Sequence, residues 1–228
     1  MNKGIFIVID GTDGSGKTEQ TKRLIARLSD AGHTVELADF PQYGKPSAHF
    51  VEKYLRGEYG ALKDIDAYRA SLFYALDRFE ASFDIRPALE NGTIIVSNRY
   101  VSANMGHQAG KIHDPVERER FLTWLKDLEY GILGIPKPDV NILLYIPPEK
   151  GQQFVAQKAA REYTQGKSHD IHEADIGHLR DASQAYLEVA DREGWKVVDY
   201  RTEDPNVIKT LDQVHEEIWN HLVLCKVI

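Results

Sequence analysis

Ile5-Phe6-Ile7-Val8-Ile9-Asp10-Gly11-Thr12-Asp13-Gly14-Ser15-Gly16-Lys17-Thr18 decides how this chain is read. The first five residues are apolar without alternation and stop at Asp10-Gly11. A short run of that kind, bounded by glycine, reads as a strand buried on both faces. Gly11 to Thr18 then fits G-x-x-x-x-G-K-[ST] at every position. Lys17 to Ala31 follows with a helical pattern, Leu24, Ile25 and Leu28 on one face and Gly32 as its stop. A glycine-rich turn between a buried strand and a helix aims its N–H groups inward at a helix N-terminus, where anions bind. The loop residues Gly11, Thr12, Asp13, Gly14, Ser15, Gly16, Lys17 and Thr18 are therefore candidates to hold a nucleotide's phosphates. Lys17 supplies a point charge, and the Thr18 hydroxyl is a candidate Mg²⁺ ligand. Asp13 is out of place among phosphates unless it meets a cation or a hydroxyl.

Outward from this stretch, strands alternate with helices. His33 to Asp39, Thr93 to Ser97, Asn141 to Ile146 and Trp195 to Tyr200 read as further strands. Pro46–Arg56, Asp66–Glu90, Val116–Leu128, Glu173–Arg192 and Pro205–Leu222 read as helices. The expected class is α/β, a parallel sheet with helices on both faces and ligands beyond the carboxyl ends of the strands. The polar stretch Gln152 to Ile171 is the expected mobile segment.

The chain has 228 residues, with 28 Lys plus Arg against 35 Asp plus Glu, a formal charge of −7. That balance argues against a broad nucleic-acid surface and leaves room for a local anion pocket. The length favours one large domain over 1–228. A single cysteine, Cys225, excludes an intramolecular disulfide. No apolar run reaches membrane-spanning length, and Met1-Asn2-Lys3-Gly4 enters a strand with no signal-peptide pattern, so a cytoplasmic protein with no membrane partner is expected.

A second group of residues follows the strands. Asp39-Phe40-Pro41-Gln42-Tyr43-Gly44 comes after the second strand and Asn98-Arg99-Tyr100 after the third. Tyr74 and Arg78 lie four apart on a helix and share one face. Asn104, His107 and Gln108 occupy about one helical turn. Rings, amides and guanidiniums of this kind suit stacking, base edges and phosphates. Each also has an ordinary reading: Tyr74 as core, Arg78 as a surface ion pair beside Asp77 and Glu80, Arg99 as a carbonyl cap. His169-Asp170-Ile171-His172-Glu173 lacks the order of a zinc helix and reads as a helix start with acidic residues in its first turn.

Gly11 to Thr18, Phe40-Pro41, Tyr74-x-x-x-Arg78, Arg99-Tyr100 and Lys137-Pro138-Asp139, in this order, resemble the thymidylate kinase (dTMP kinase) family from about Ile5 to Asp199. The resemblance implies the P-loop nucleoside monophosphate kinase fold, with a five-stranded parallel sheet and a mobile lid at about 150–171. It implies transfer of the γ-phosphate of ATP to dTMP, with Mg²⁺ and commonly as a homodimer. Asp13 then stands near the dTMP sugar and phosphate, Phe40 lines the nucleoside pocket and Tyr74 stacks on thymine. Arg78 donates to O4, Arg99 holds the dTMP phosphate and Asn104 meets the N3 edge. His107 stands near the deoxyribose, and Gln108 is a further pocket residue. Lys17, Asp13, Arg99 and Arg161 become the catalytic candidates, with Lys167 as a second lid cation. Three departures stand out. Asn98 replaces a usual Asp as a candidate Mg²⁺ ligand, Tyr43 stands where some members carry an Arg, and Gly14 replaces an Arg that one subclass carries inside the loop. A kinase for another nucleotide or deoxynucleoside, or a regulator that has lost catalysis, is the rival reading.

Overall fold

The structure is a computed structural model. It describes residues 3–61, 63–162, 176–204 and 207–228, without the side chains of 157–162. Strand β1 (Phe6–Asp10) lies at the centre of a five-stranded sheet with β2 (Val35–Asp39), β3 (Ile94–Asn98), β4 (Val140–Tyr145) and β5 (Lys196–Asp199). The order is β2-β3-β1-β4-β5, and every pairing is parallel. Side chains alternate along β1. Phe6 and Val8 face one layer, with Ile95 and helices α3 (Ala67–Glu90), α4 (Val101–His107), α5 (Pro115–Lys126) and α7 (Ile176–Glu193). Ile7 and Ile9 face the other, against Leu24 and Leu28 of α1 (Lys17–Asp30) and Val214, Ile218 and Leu222 of α8 (Leu211–Leu224). Burial on both faces is why this strand reads as an unbroken apolar run.

The motif Lys137-Pro138-Asp139 clamps the start of β1: Phe6 donates its N–H to Asp139 Oδ2 at 2.8 Å, and Asp139 returns its own N–H to the Phe6 carbonyl. Side-chain caps set helix starts. Asp66 accepts from the Arg69 N–H at α3, and Asp114 from the Glu117 N–H at α5. Between Pro46 and Leu55 a short 3₁₀ turn precedes α2 (His49–Leu55). After α5 the chain continues as a π-helical turn, Asp127–Ile132. Helix α4 packs on α7 so closely that a Cβ at Gly106 would lie 2.3 Å from the Tyr186 ring.

Two boundaries differ from expectation. The last helix begins at Leu211 rather than Pro205, because Thr210 and Gln213 form a reciprocal capping box there. Just before it, Lys209 donates to the Tyr200 carbonyl and Ile208 bridges Arg201, which keeps this stretch extended. The expected mobile segment is helical in its first part, as α6 (Pro148–Glu162); a Pro-Pro start with Glu149 in the first turn suits a helix N-terminus. Residues 163–171 of that segment, and Glu173 at the expected start of α7, lie outside the described residues.

Candidate active site

The parallel register brings the sequence-predicted residues to one edge of the sheet. Ile9 pairs with Asn98, so the loop after β1 and the segment after β3 are neighbours. They open into a cleft of about 620 Å³, a size suited to a small ligand. Asp13, Gly14, Gly16, Lys17 and Thr18 line one end; Phe40, Tyr74, Arg78, Asn104, His107 and Gln108 line the other, with Asn98 and Arg99 between. Gly11, Thr12 and Ser15 are part of the loop but not of the cleft's lining.

The phosphate loop has the backbone its glycines predict. Gly16 caps α1 in the left-handed region. Gly14, at φ +81°, passes so close to α6 that a Cβ would lie 2.2 Å from the Gly151 carbonyl oxygen. That contact explains why Gly14 has no side chain here. Lys17 is 7% exposed and donates to the Thr12 carbonyl at 2.9 Å. Burial and then the charge of Arg99 pull its pKa down to about 8, against the opposing pull of Asp13 and Asp10. The Ser15 hydroxyl is buried with no partner, an orphaned group in a loop shaped for oxyanions.

Asp13 meets the cations its position demanded. Its Oδ1 accepts from Arg99 Nη2 and lies 3.7 Å from Lys17 Nζ. Burial lowers the Arg99 pKa, but Asp13, with Tyr186, Asp10 and Tyr43 behind it, outweighs burial and the net shift is upward. Arg99 is one of two described non-glycine residues with positive φ, at +65°, a conformation that costs about 1–3 kcal/mol and clusters at functional sites. Its N–H donates to the Ile9 carbonyl at 3.0 Å, and its own carbonyl accepts from Ser97 Oγ at 2.6 Å. Arg99 Nη1 also lies 2.9 Å from His107 Nε2. Guanidinium only donates, so Nε2 accepts, and this bond requires a neutral imidazole with its proton on Nδ1. The His107 ring stacks on His178 of α7 and meets Tyr186 edge-on.

The other end of the cleft is built differently. Arg78 is not in a surface ion pair: it is 1% exposed and forks onto Glu129, while Asp77 instead accepts from the Gln42 N–H and Ser47 Oγ. Asp77 thereby ties the Phe40-Pro41-Gln42 turn to α3. Tyr74 is half-buried, edge-on to Tyr54, with part of its surface on the cleft. Phe40 packs against Tyr100 at 5.6 Å. Asn104 and Gln108 are both 1% exposed, and Gln108 Oε1 has no partner.

Sequence reasoning missed Asp10, Asp77 and Glu129. Asp10 ends β1 and accepts from Gly11 N–H, Ser102 Oγ and Tyr186 Oη, which ties the loop to α4 and α7. Only its place at a strand end hinted at this. The side chain of Arg161, and Lys167 entirely, lie outside the described residues, as do 169–173.

A divalent cation is compatible with the oxygens present. Asn98 Nδ2 donates to Asp39 Oδ1 at 2.8 Å, while Asn98 Oδ1 is buried with no partner. Thr18 is exposed at the start of α1. Among the described residues no group of three His, Cys, Asp or Glu side chains gathers as a metal site. Mg²⁺ needs no such cage, because it keeps waters and binds through one or two oxygens plus phosphate.

Because Asp13 raises the pKa of Lys17, Asp13→Asn should leave Lys17 deprotonating at lower pH. The alkaline fall in affinity for a nucleoside triphosphate then begins at lower pH than in the unmodified protein. Calorimetric titrations between pH 6 and about 9 check this; an unchanged profile would show that Asp13 does not sustain the Lys17 charge.

The family model described as thymidylate kinase matches residues 9–214. Thymidylate kinase of Syntrophotalea carbinolica is 31% identical over 216 residues, covering 94% of this chain and 93% of that protein. The thymidylate kinase of Mycobacterium tuberculosis is 29% identical over 192 residues, covering 84% and 87%. The human one is 27% identical over 227 residues, covering 95% and 88%. The solved thymidylate kinase of Candida albicans superposes with a TM-score of 0.75 at 23% identity, over 98% of this chain and 93% of that one, and so shares the fold. A loop for a triphosphate, a strained arginine beside it and a match along nearly the whole chain agree: the chain belongs to the thymidylate kinase family.

Proposed function

We propose that this enzyme transfers the γ-phosphate of ATP to dTMP, giving ADP and dTDP. The observation that carries the reading is one carboxylate, Asp13, contacting both Lys17 of the phosphate loop and Arg99 of the neighbouring segment after β3. Two anion sites that share a counter-ion suit two phosphate-bearing substrates that meet.

Phosphoryl transfer asks the protein for position and charge more than for covalent chemistry. In this reading, the loop N–H groups and Lys17 hold the β- and γ-phosphates of ATP. Arg99 holds the dTMP phosphate, one oxygen of which attacks the γ-phosphorus as the bond to the β-phosphate oxygen breaks. Lys17 and Arg99 offset the charge that spreads over the transferring group. Thr18 and Asn98 Oδ1 would hold Mg²⁺, which when bound neutralises phosphate charge. Asp13 keeps Arg99 in place until phosphate arrives. Phe40 and His107 shape the sugar end, Gln108 borders it, and Tyr74, Arg78 and Asn104 take the base. Residues 150–171, starting in α6, act as a lid that excludes water, with Arg161 or Lys167 as its cation.

A coupled ADP-release assay across dTMP, dUMP, dCMP and thymidine tests the assignment. The expected order puts dTMP first, with Lys17→Ala folded but at least about 100-fold slower. Phosphorylation of thymidine without dTMP would overturn it, and ATP binding without ADP release would favour a regulator.

Asn98→Asp would set a second carboxylate beside Asp39. Its expected signature is a melting temperature that rises with Mg²⁺ by several degrees more than the parent's, read by calorimetry without nucleotide. Equal Mg²⁺ responses would put position 98 outside the metal's reach.

A homodimer belongs to the same reading. Leu72, Leu76 and Phe83 are 40%, 49% and 59% exposed on α3, and with Phe79 they follow an i, i+4, i+7, i+11 stripe that a second copy would cover. Leu76→Glu should sediment as a monomer where the parent is a dimer. A cytoplasmic location follows from charged substrates that do not cross bilayers unaided.

A further inference from the structure

We infer that Glu129 is a positioning residue that sets the donor–acceptor polarity of the base pocket, so that the cleft selects a pyrimidine carrying a 4-oxo group and an N3 proton over one carrying a 4-amino group. The inference rests on the dTMP reading above and names a determinant that the reading did not contain.

Glu129 is 0% exposed. It sits in the π-helical turn Asp127–Ile132, where Leu133 N–H reaches back to the Leu128 carbonyl and Ile135 N–H to the Glu129 carbonyl. Such turns frequently mark functional sites. Its carboxylate lies under both candidate base-reading side chains. Oε2 accepts from Arg78 Nε at 2.9 Å, and Oε1 accepts from Arg78 Nη2 and, at 3.5 Å, from Asn104 Nδ2. Arg78 Nη1 donates to the Tyr100 carbonyl at 3.2 Å. These bonds use three of the five guanidinium N–H groups, and the remaining two are on the Nη atoms of a residue that lines the cleft.

The same carboxylate orients the Asn104 amide. Nδ2 is its donor end, satisfied by Glu129 and by the Ser71 carbonyl at 3.3 Å. Oδ1 is then the end left for a ligand. A carboxylate only accepts, so Glu129 requires donors from both partners and leaves the cleft an arginine donor beside an amide acceptor. Thymine and uracil present the complement, an O4 acceptor next to an N3–H donor. Cytosine presents the reverse, an amino donor next to an N3 acceptor, and would leave buried polar groups unpaired.

The test compares wild type with Glu129→Gln on dTMP, dCMP and the deoxyribonucleotide of 2-pyrimidinone, which lacks the 4-oxo group and with it the N3 proton. A glutamine keeps the shape but can present donors to Arg78 and Asn104. In wild type, this joint loss of O4 and the N3 proton, the O4 penalty, should raise KM by at least about tenfold. In Glu129→Gln, the dTMP KM should rise about 10- to 100-fold with the ATP KM unchanged, the O4 penalty should fall below about threefold, and the dTMP/dCMP ratio should narrow. A merely structural role would not move the O4 penalty. A discriminating wild type with a variant that keeps its discrimination overturns the role of Glu129 alone. A wild type indifferent to O4 overturns the inference together with the dTMP reading beneath it. If Glu129→Gln does not fold, the comparison moves to Arg78→Met, in which the unpaired buried cation is gone. There, adding Glu129→Gln frees the Asn104 amide to turn, so the dTMP/dCMP ratio should narrow by at least about threefold with the ATP KM unchanged; an unchanged ratio would mean that Glu129 does not orient Asn104 and would overturn the proposal.

Discussion

Two cations are held near one another in a mostly buried place, and much of the site's structure answers that constraint. Lys17 and Arg99 repel, and burial first and then Arg99 pull the Lys17 pKa down to about 8. A lysine held there instead of near 10.5 withholds about 3 kcal/mol of stability. The loss is full below pH ~8, where the folded protein still carries the charge, and fades as pH rises toward 10.5. Asp13 offsets part of the repulsion, and a strained backbone at Arg99 is tolerated because Ile9 and Ser97 hold it from both sides. In the proposed reading this arrangement is prepared for phosphate, with stability given up so that the charges are already in place.

The two ends of the cleft use opposite strategies. At the phosphate end two cations, Lys17 and Arg99, share the one carboxylate of Asp13 and both line the cleft. At the base end one cation, Arg78, has a carboxylate of its own. Arg78 and Glu129 are both sealed from solvent, and such a pair adds little stability over apolar packing while fixing geometry strictly. That division fits an enzyme that must attract two polyanions yet choose among bases of nearly equal size, since shape alone discriminates weakly and unpaired polar groups discriminate strongly.

Much of this was legible in the chain because its signals are local. The apolar run at Phe6 to Ile9, the glycines of the phosphate loop and the helical face of Tyr74 and Arg78 depend on residues within a few positions of each other. The strands and most helices fall where periodicity puts them. The helix at Leu211 was read too early because a capping box and a bridge between Arg201 and Ile208 decide its start, and the bridge joins residues seven apart around a turn.

Asp10, Asp77 and Glu129 were not legible, and all three are buried carboxylates whose partners lie far off in sequence: Tyr186 for Asp10, Gln42 for Asp77, Arg78 for Glu129. Nothing beside Glu129 in the chain distinguishes it from a solvated acid, and nothing beside Arg78 predicts that it turns from its neighbours toward another helix. The sequence by itself determined the strand, the loop, the family and most residues of the cleft, because backbone propensity and phosphate geometry act over short spans. Only the tertiary structure decided which charges meet, because burial makes an unpaired charge too costly to leave and the sheet order chooses the partners within reach.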